Sequence, residues 1–416
     1  MKEKEHKFQI FKFGMYGFLK NLMFFEPYLL YYLIILNGLS FLQVGLLYSV
    51  RGVIIYIFEI PSGVIADRYG KKTELYICFA FYILSFLMFF FATDYWMFIV
   101  AMGLFGLGEA FRSGTHKAMI MQYLDENQIG DSKIKVYGKT RSMSLIGSMV
   151  MSLVSVVFVI YLPDVRYLFL ISIIPFILDL LLIMSYPKYM NKAESVSFNF
   201  KEFIRENYFS IKYAFTDKKV RSLLIESSSY QGGHDTLKDY IQPIILAISG
   251  SVVIFSMFSL EDNLKIYVGL IYAFIYLISS ITSRNAHKLV DKFNERRILN
   301  ITWLISGTIM LILSFFLNNL IIVFLVFVLF YVILNIRRPL MVHLVGEATD
   351  KTKRASVLSI ESQMKSILVA IFAPIIGLIA DYSLKAMFII VGIVMIIFFI
   401  YKFIFNNGTE SKPKTE

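Results

Sequence analysis

Long apolar runs separated by short charged segments dominate this chain and leave few folds open to it. They fall at about 12–36, 41–65, 73–93, 96–120, 140–161 and 166–186, then at about 221–248, 264–286, 298–317, 319–342, 355–380 and 386–405. A helix needs roughly 20 apolar residues to cross a hydrocarbon layer about 30 Å thick. In lipid the backbone must satisfy its own hydrogen bonds, which a helix does. The expectation is an all-α membrane protein with 12 transmembrane helices in two pseudo-symmetric six-helix bundles. Composition agrees: 57% of the 416 residues are hydrophobic and 17% charged, where a soluble domain carries about 25% charged residues. A soluble enzyme, a disordered chain and a disulfide-built secreted scaffold are all excluded. The single cysteine, Cys78, lies inside an apolar run, so neither an intramolecular disulfide nor a thiolate metal cluster is available.

The charges orient the spans. A net charge of +11 would suggest nucleic acid in a soluble protein, but cytoplasmic loops of membrane proteins are enriched in Lys and Arg. Of the 41 Lys and Arg, only Arg166, Lys265 and Lys385 fall in loops on one side, and Lys20, Arg51, Arg112, Lys238 and Lys365 fall within spans. The rest lie on the side of the termini, which places both termini in the cytoplasm. The Lys-rich start (Lys2, Lys4, Lys7, Lys12) has no small-residue cleavage site after it and reads as retained. The expected organisation is a bundle over 1–186, a cytoplasmic central loop over 187–219, a second bundle over 220–406 and a cytoplasmic tail over 407–416. Phe200–Phe215 mixes aromatic and basic residues as a surface amphipathic helix does. The sequon at Asn407 falls on that tail and reads as chance.

The halves repeat. After span two stands Gly63-Val64-Ile65-Ala66-Asp67-Arg68-Tyr69-Gly70-Lys71-Lys72, and after span eight a degenerate copy runs from His287 to Arg297 with Asp291 opposite Asp67. Parallel six-span repeats around a midplane site are a carrier architecture. On these residues the chain resembles the major facilitator superfamily of secondary transporters, whose loop after span two reads G-x-L-A-D-R-x-G-R-K; Ile65 and Lys71 depart from it conservatively. The drug-efflux-like branch is the expected one. Met102 stands where many antiporters carry Arg, however, and Ser142–Val157 lacks their Gly-Pro pattern. The resemblance implies that Gly63, Asp67, Arg68, Gly70, Lys71 and Lys72 form a cytoplasmic gating loop that grips span eleven. Gly63 would allow close backbone approach and Gly70 a tight turn. It also implies that spans one, four, seven and ten line the cavity while three, six, nine and twelve face lipid.

Ionisable groups at membrane depth are costly and mark pathways or paired sites. The proton-coupling candidates are Glu26, Glu109, Asp235 and His234; the cavity candidates are Arg51, Arg112, Glu226, Tyr230, Lys238, Asp239, Glu361 and Lys365. Glu109 with Arg112, and Glu361 with Lys365, share a helix face and are able to neutralise each other. Glu26 either carries a proton or pairs across helices with Arg51 or Lys238. Gly232-Gly233 should weaken span seven just before His234 and Asp235, where a broken helix would bind substrate, unless the stretch only lines a vestibule. Asp179 in span six is out of place on the lipid-facing scheme. The named span charges lean acidic, towards a cationic solute or exchangeable protons, although Arg337 and Arg338 would attract an anion.

No P-loop, metal-ligand spacing or nucleophile motif is present, so the expectation is no enzyme, no metal and no cofactor. The leading function is alternating-access, proton-coupled efflux of amphipathic or cationic compounds across a bacterial plasma membrane, by a monomer whose partners are bilayer, small solute and protons, without nucleic acid. The alternatives are an uptake permease for a small metabolite and, from other classes, a membrane-embedded enzyme, a flippase or a sensor.

Overall fold

Polar residues at the ends of the apolar runs start several helices in the computed structural model, which describes residues 2–127, 133–191, 212–248, 257–285, 295–349 and 354–406. Ser40 accepts from the Gln43 amide while the Gln43 side chain accepts from the Ser40 amide, a reciprocal box opening span two. Asp94, Asp217 and Asn319 cap spans four, seven and ten with side-chain oxygens on two amides each. Most of the central loop and of the 200–215 stretch, Asp291 with its neighbours, and the tail with Asn407 lie outside the described residues.

The first half comprises span one (Lys2–Leu19, then turns at Glu26–Tyr28 and Tyr31–Leu36), span two (Phe41–Tyr69) and span three (Lys71–Phe91). Span four is Tyr95–Arg112 continued by Thr115–Glu126, span five Lys133–Tyr161 and span six Tyr167–Met184. The second half comprises span seven (Lys218–Leu237, a turn at Lys238–Tyr240, then Ile241–Ala247), span eight (Leu260–Asn285) and span nine (Glu295–Phe315). Spans ten (Leu320–Ala348), eleven (Arg354–Tyr382) and twelve (Leu384–Asn406) complete it. No strand occurs among the described residues. Nine of their helices are long and apolar enough to cross a membrane. The passages outside that set are one, four and seven, which are broken or carry charge.

Two breaks differ from expectation. Span one starts at Lys2, ahead of the apolar run, and comes apart between Leu19 and Glu26. Pro27 sits at the first turn of the next short helix, where its missing N–H costs nothing. Span seven continues unbroken through Gly232-Gly233 and gives way at Lys238–Tyr240, one turn before Pro243. The proline ring obstructs the carbonyl four residues earlier, and that outweighs the propensity cost of two glycines. Gly232 is instead a packing position: a Cβ there would lie 3.1 Å from the Leu368 Cβ on span eleven.

Exposed apolar stripes identify the surface that meets lipid. Ile174, Ile177, Leu178 and Leu181 on span six, and Ile390, Ile393, Val394 and Ile397 on span twelve, recur at helical spacing on one exposed face. Asp179 lies on the opposite face of span six and is fully buried, which removes its conflict with a lipid-facing helix. The halves meet along two seams, span two on eleven and span five on eight.

Candidate functional site

Small residues bring the halves together, and their neighbours show where contact ends. A Cβ on Gly45 would sit 2.8 Å from the Pro374 Cα, and one on Gly52 2.6 Å from the Ser366 carbonyl oxygen. One on Gly377 would lie 3.0 Å from the Leu42 Cα, yet at Gly63, nearer the termini, nothing lies within 4 Å. Spans two and eleven therefore touch through their far portions and diverge towards the end of the bundle that holds Lys2 and Asn406. The close approach expected of Gly63 is absent for this reason. Gly70 does make its turn, at φ 93°, where only glycine is comfortable. Lys72 donates to the Met184 and Tyr186 carbonyls at 3.0 Å each, and Lys71 to Gln122 at 2.8 Å, so the loop is tied to its own half. Arg68 lies over the Tyr69 ring. The backbone of Asp67 lies in the last turn of span two, and its side chain lies outside the described set.

At the far end the halves are laced together. Asp381 accepts from the amides of Phe41 and Leu42 at 2.6 and 2.9 Å, a carboxylate on the N-terminus of a helix of the other half. Tyr31 donates to Glu261 at 2.8 Å and Tyr28 to the Lys265 carbonyl at 2.8 Å. Gln242, fully buried, accepts from the Leu30 amide and donates to the Glu26 carbonyl, where the two broken helices face each other. The Lys238 ammonium reaches Glu26 across the seam at 3.3 Å and Asp239 at 3.8 Å. Asp239 also accepts from Tyr48 and Tyr272 at 3.2 and 3.3 Å.

Between this closure and the open end lies a cavity in two lobes, about 270 Å³ beside the closure and about 560 Å³ towards the termini. Arg51, Glu109, Arg112, Arg141 and Arg338 line both. Glu109 is held at 2.5 Å by Arg51 and 3.0 Å by Arg112, so the expected pair within span four is in fact a triad reaching span two. Asp235 pairs with Lys365 of span eleven at 3.5 Å, within the second half, and stands 3.7 Å from the His234 ring. His234 is buried against the Phe330 ring, its nitrogens without hydrogen bonds among the described residues. The cavity thus gathers Glu26, Glu109, Asp235, His234, Arg51, Arg112, Lys238, Asp239 and Lys365.

Three expected cavity residues lie elsewhere. Glu226 is enclosed between Arg337 at 3.3 Å and Lys402 at 3.2 Å, inside the second half. Tyr230 lies under the Arg337 guanidinium at 4.0 Å and bonds Ser306 at 2.7 Å in the same cluster. Glu361 does not pair with Lys365: buried, it accepts from Ser227 and Gln231 of span seven. Without Glu226, Glu361 and Asp179, the acidic excess counted over the spans is not a property of the cavity. Arg141, Tyr48 and Gln242 are contributors the sequence reading passed over. Among the described residues no cluster of three or more His, Cys, Asp or Glu is placed to hold a metal ion.

Two helical bundles around a charged seam cavity, closed at one end and parted at the other, define a membrane carrier. The sequence profile of the Major Facilitator Superfamily matches residues 12–334 and again 240–416, and the chain belongs to that family. An uncharacterised major-facilitator-type transporter of Bacillus subtilis (strain 168), YxaM, is 27% identical over 223 residues, 53% of this chain and 54% of that protein. The match thus spans about half the length of that relative. The fold is similar to the crystal structure of nucleoside transporter NupG (TM-score 0.76, 11% identity, 95% of this chain and 98% of that one). It is also similar to a POT family transporter in complex with a thioalcohol-conjugated peptide (TM-score 0.75, 14% identity, 97% and 96%).

Proposed function

We propose that the protein is a proton-coupled secondary carrier of a small polar solute that works by alternating access, with both termini in the cytoplasm. The observation that carries this reading is the run of glycine contacts along span two, tight at Gly45 and Gly52 and absent at Gly63. One rigid-body rocking of the halves exchanges which end is closed. The contacts to be broken at the far end include the Asp381 cap, Tyr31 to Glu261, Tyr28 to the Lys265 carbonyl, Tyr48 to Asp239, the Gln242 bonds to span one and Glu26 to Lys238, together with the packing at Gly45, Gly52 and Gly377. Glu26 is the coupling residue on this reading. Its ion pair crosses the seam beside the cavity, so a proton on Glu26 cancels the attraction and favours opening of that end. Glu109 is held by two guanidiniums within one half and serves the cavity rather than the gate. Export of cationic compounds loses its main support with the acidic excess, and uptake of a specific metabolite becomes the favoured direction. NupG and the POT transporter, carriers of nucleosides and peptides by name, agree with a small polar solute.

The test is transport in proteoliposomes carrying a trapped pH dye, wild type against Glu26→Gln. Solute-driven pH change in the wild type, lost in the variant while solute counterflow persists, supports coupling at Glu26. Equal pH coupling in both proteins removes Glu26 from that role.

A further inference from the structure

The two lobes differ in sign. The wider lobe is lined by Lys20, Arg51, Arg112, Arg141, Arg338 and Lys365 against one carboxylate, Glu109. The lobe beside the closure brings in Lys238 with Glu26, Asp235 and Asp239 and is near balance. Counted once each, seven basic side chains face four acidic ones. We infer that the wider lobe is an oxyanion site, and that the solute carries a carboxylate or phosphate group bound there between the two halves. This rests on the carrier reading above and names its substrate class.

The available counter-charges are already taken. Glu109 is shared by Arg51 and Arg112, one negative charge for two guanidiniums. Lys365 is engaged by Asp235. Arg338 is exposed to the cavity and makes no hydrogen bond or ion pair among the described residues, and the Lys20 ammonium lies over the Tyr16 ring at 5.7 Å with the buried Asp179 carboxyl attracting it. The positive-inside rule does not account for the whole of this set. That rule covers Arg141 and Arg338, counted on the side of the termini, but not Lys20, Arg51, Arg112 and Lys365, which come from spans one, two, four and eleven and converge with them on an internal cavity. A cleft lined by one sign of charge concentrates counter-ions by about 10–10³-fold. Guanidinium forks match the paired oxygens of carboxylate and phosphate.

The arrangement also links occupancy to motion. Lys20, Arg51, Arg112 and Arg141 belong to the first half, and Arg338 and Lys365 to the second. Without an anion, these like charges oppose closing the end at which the spans diverge. An oxyanion between them removes the repulsion and binds the closed form better than the open one, which is the differential affinity a ligand needs to shift a conformational equilibrium.

The test measures binding to the purified full chain in detergent by titration calorimetry at constant ionic strength. The probes are sodium succinate, inorganic phosphate and choline chloride, against wild type, Arg338→Gln and Arg338→Lys. The expected result is binding of succinate or phosphate but not choline, weakened at least about tenfold by Arg338→Gln and partly restored by Arg338→Lys. Which of the two anions binds tells carboxylate from phosphate. Arg338 is exposed, and matched melting temperatures without ligand establish that the variants fold. Binding of choline in preference to the anions, absence of anion binding, or anion affinity unchanged in Arg338→Gln each overturn the inference. Spin-label distances across the two ends, taken on the same preparations, report the carrier reading separately: ends that open and close in a protein that binds only choline leave that reading standing and remove this one.

Discussion

Two buried carboxyl groups illustrate how differently a single residue type behaves at membrane depth. Glu226 is held by Arg337 and Lys402, with the Arg337 guanidinium also packed on Tyr230 and Trp303. Asp179 is fully buried, and neither of its oxygens has a hydrogen-bond partner among the described residues. Removing one member of a buried ion cluster leaves the others uncompensated, at a cost of ~3–5 kcal/mol. Glu226→Gln is therefore expected to lower the melting temperature sharply while leaving solute affinity unchanged, which thermal unfolding and binding assays check together. Asp179→Asn removes a buried carboxyl whose oxygens make no hydrogen bond among the described residues and whose attraction comes from Lys20 without an ion-pair contact. Its melting temperature should stay level or rise, and a loss as large as that of Glu226→Gln would refute the assignment. The sequence showed both residues as acids inside apolar runs. It could not distinguish them, because the partners of Glu226 lie 111 and 176 positions away.

At the scale of elements, the sequence was most informative where periodicity carries the signal. The apolar runs located the helices, the loop after span two named the family, and the stripes on spans six and twelve fit a lipid-facing surface. It was least informative about helix starts and helix rotation. Arg141 was counted with the loop before span five, yet the helix begins at Lys133, about two turns earlier, which carries Arg141 into the cavity wall. A polar first turn extends a helix without extending its apolar run. Rotation decided the fate of span seven: Glu226 and Tyr230 turn into their own half, while Asp235, Lys238 and Asp239 face the seam. Spans two and eleven yield a direct prediction. Gly52→Leu drives a side chain into the Ser366 backbone, and overpacking of this kind costs ~1–3 kcal/mol; it should destabilise the present closure. Gly63→Leu has open space and should leave the melting temperature unchanged, yet slow transport if span eleven must close over that position. Equal melting losses in the two variants would contradict the contact pattern.

The whole molecule is held in one of two arrangements by polar contacts and glycine packing at one end. The Asp381 cap, the Tyr31–Glu261 bond and the Glu26–Lys238 pair oppose charge repulsion around Arg338 at the other end. Central to this account is that the two ends move in opposite senses. The most direct measurement is electron-electron distance spectroscopy on spin labels, in a background where the buried Cys78 is replaced by Ala. One label pair replaces exposed Tyr69 and His343 near the termini; the other replaces exposed Trp96 and Tyr382 at the far end. Glu26→Gln, which removes the pair across the seam, should lengthen the far-end distances and shorten the near-end ones in the same sample. Far-end distances that stay fixed in the variant, or lengthening at both ends together, would contradict alternating access controlled by that pair.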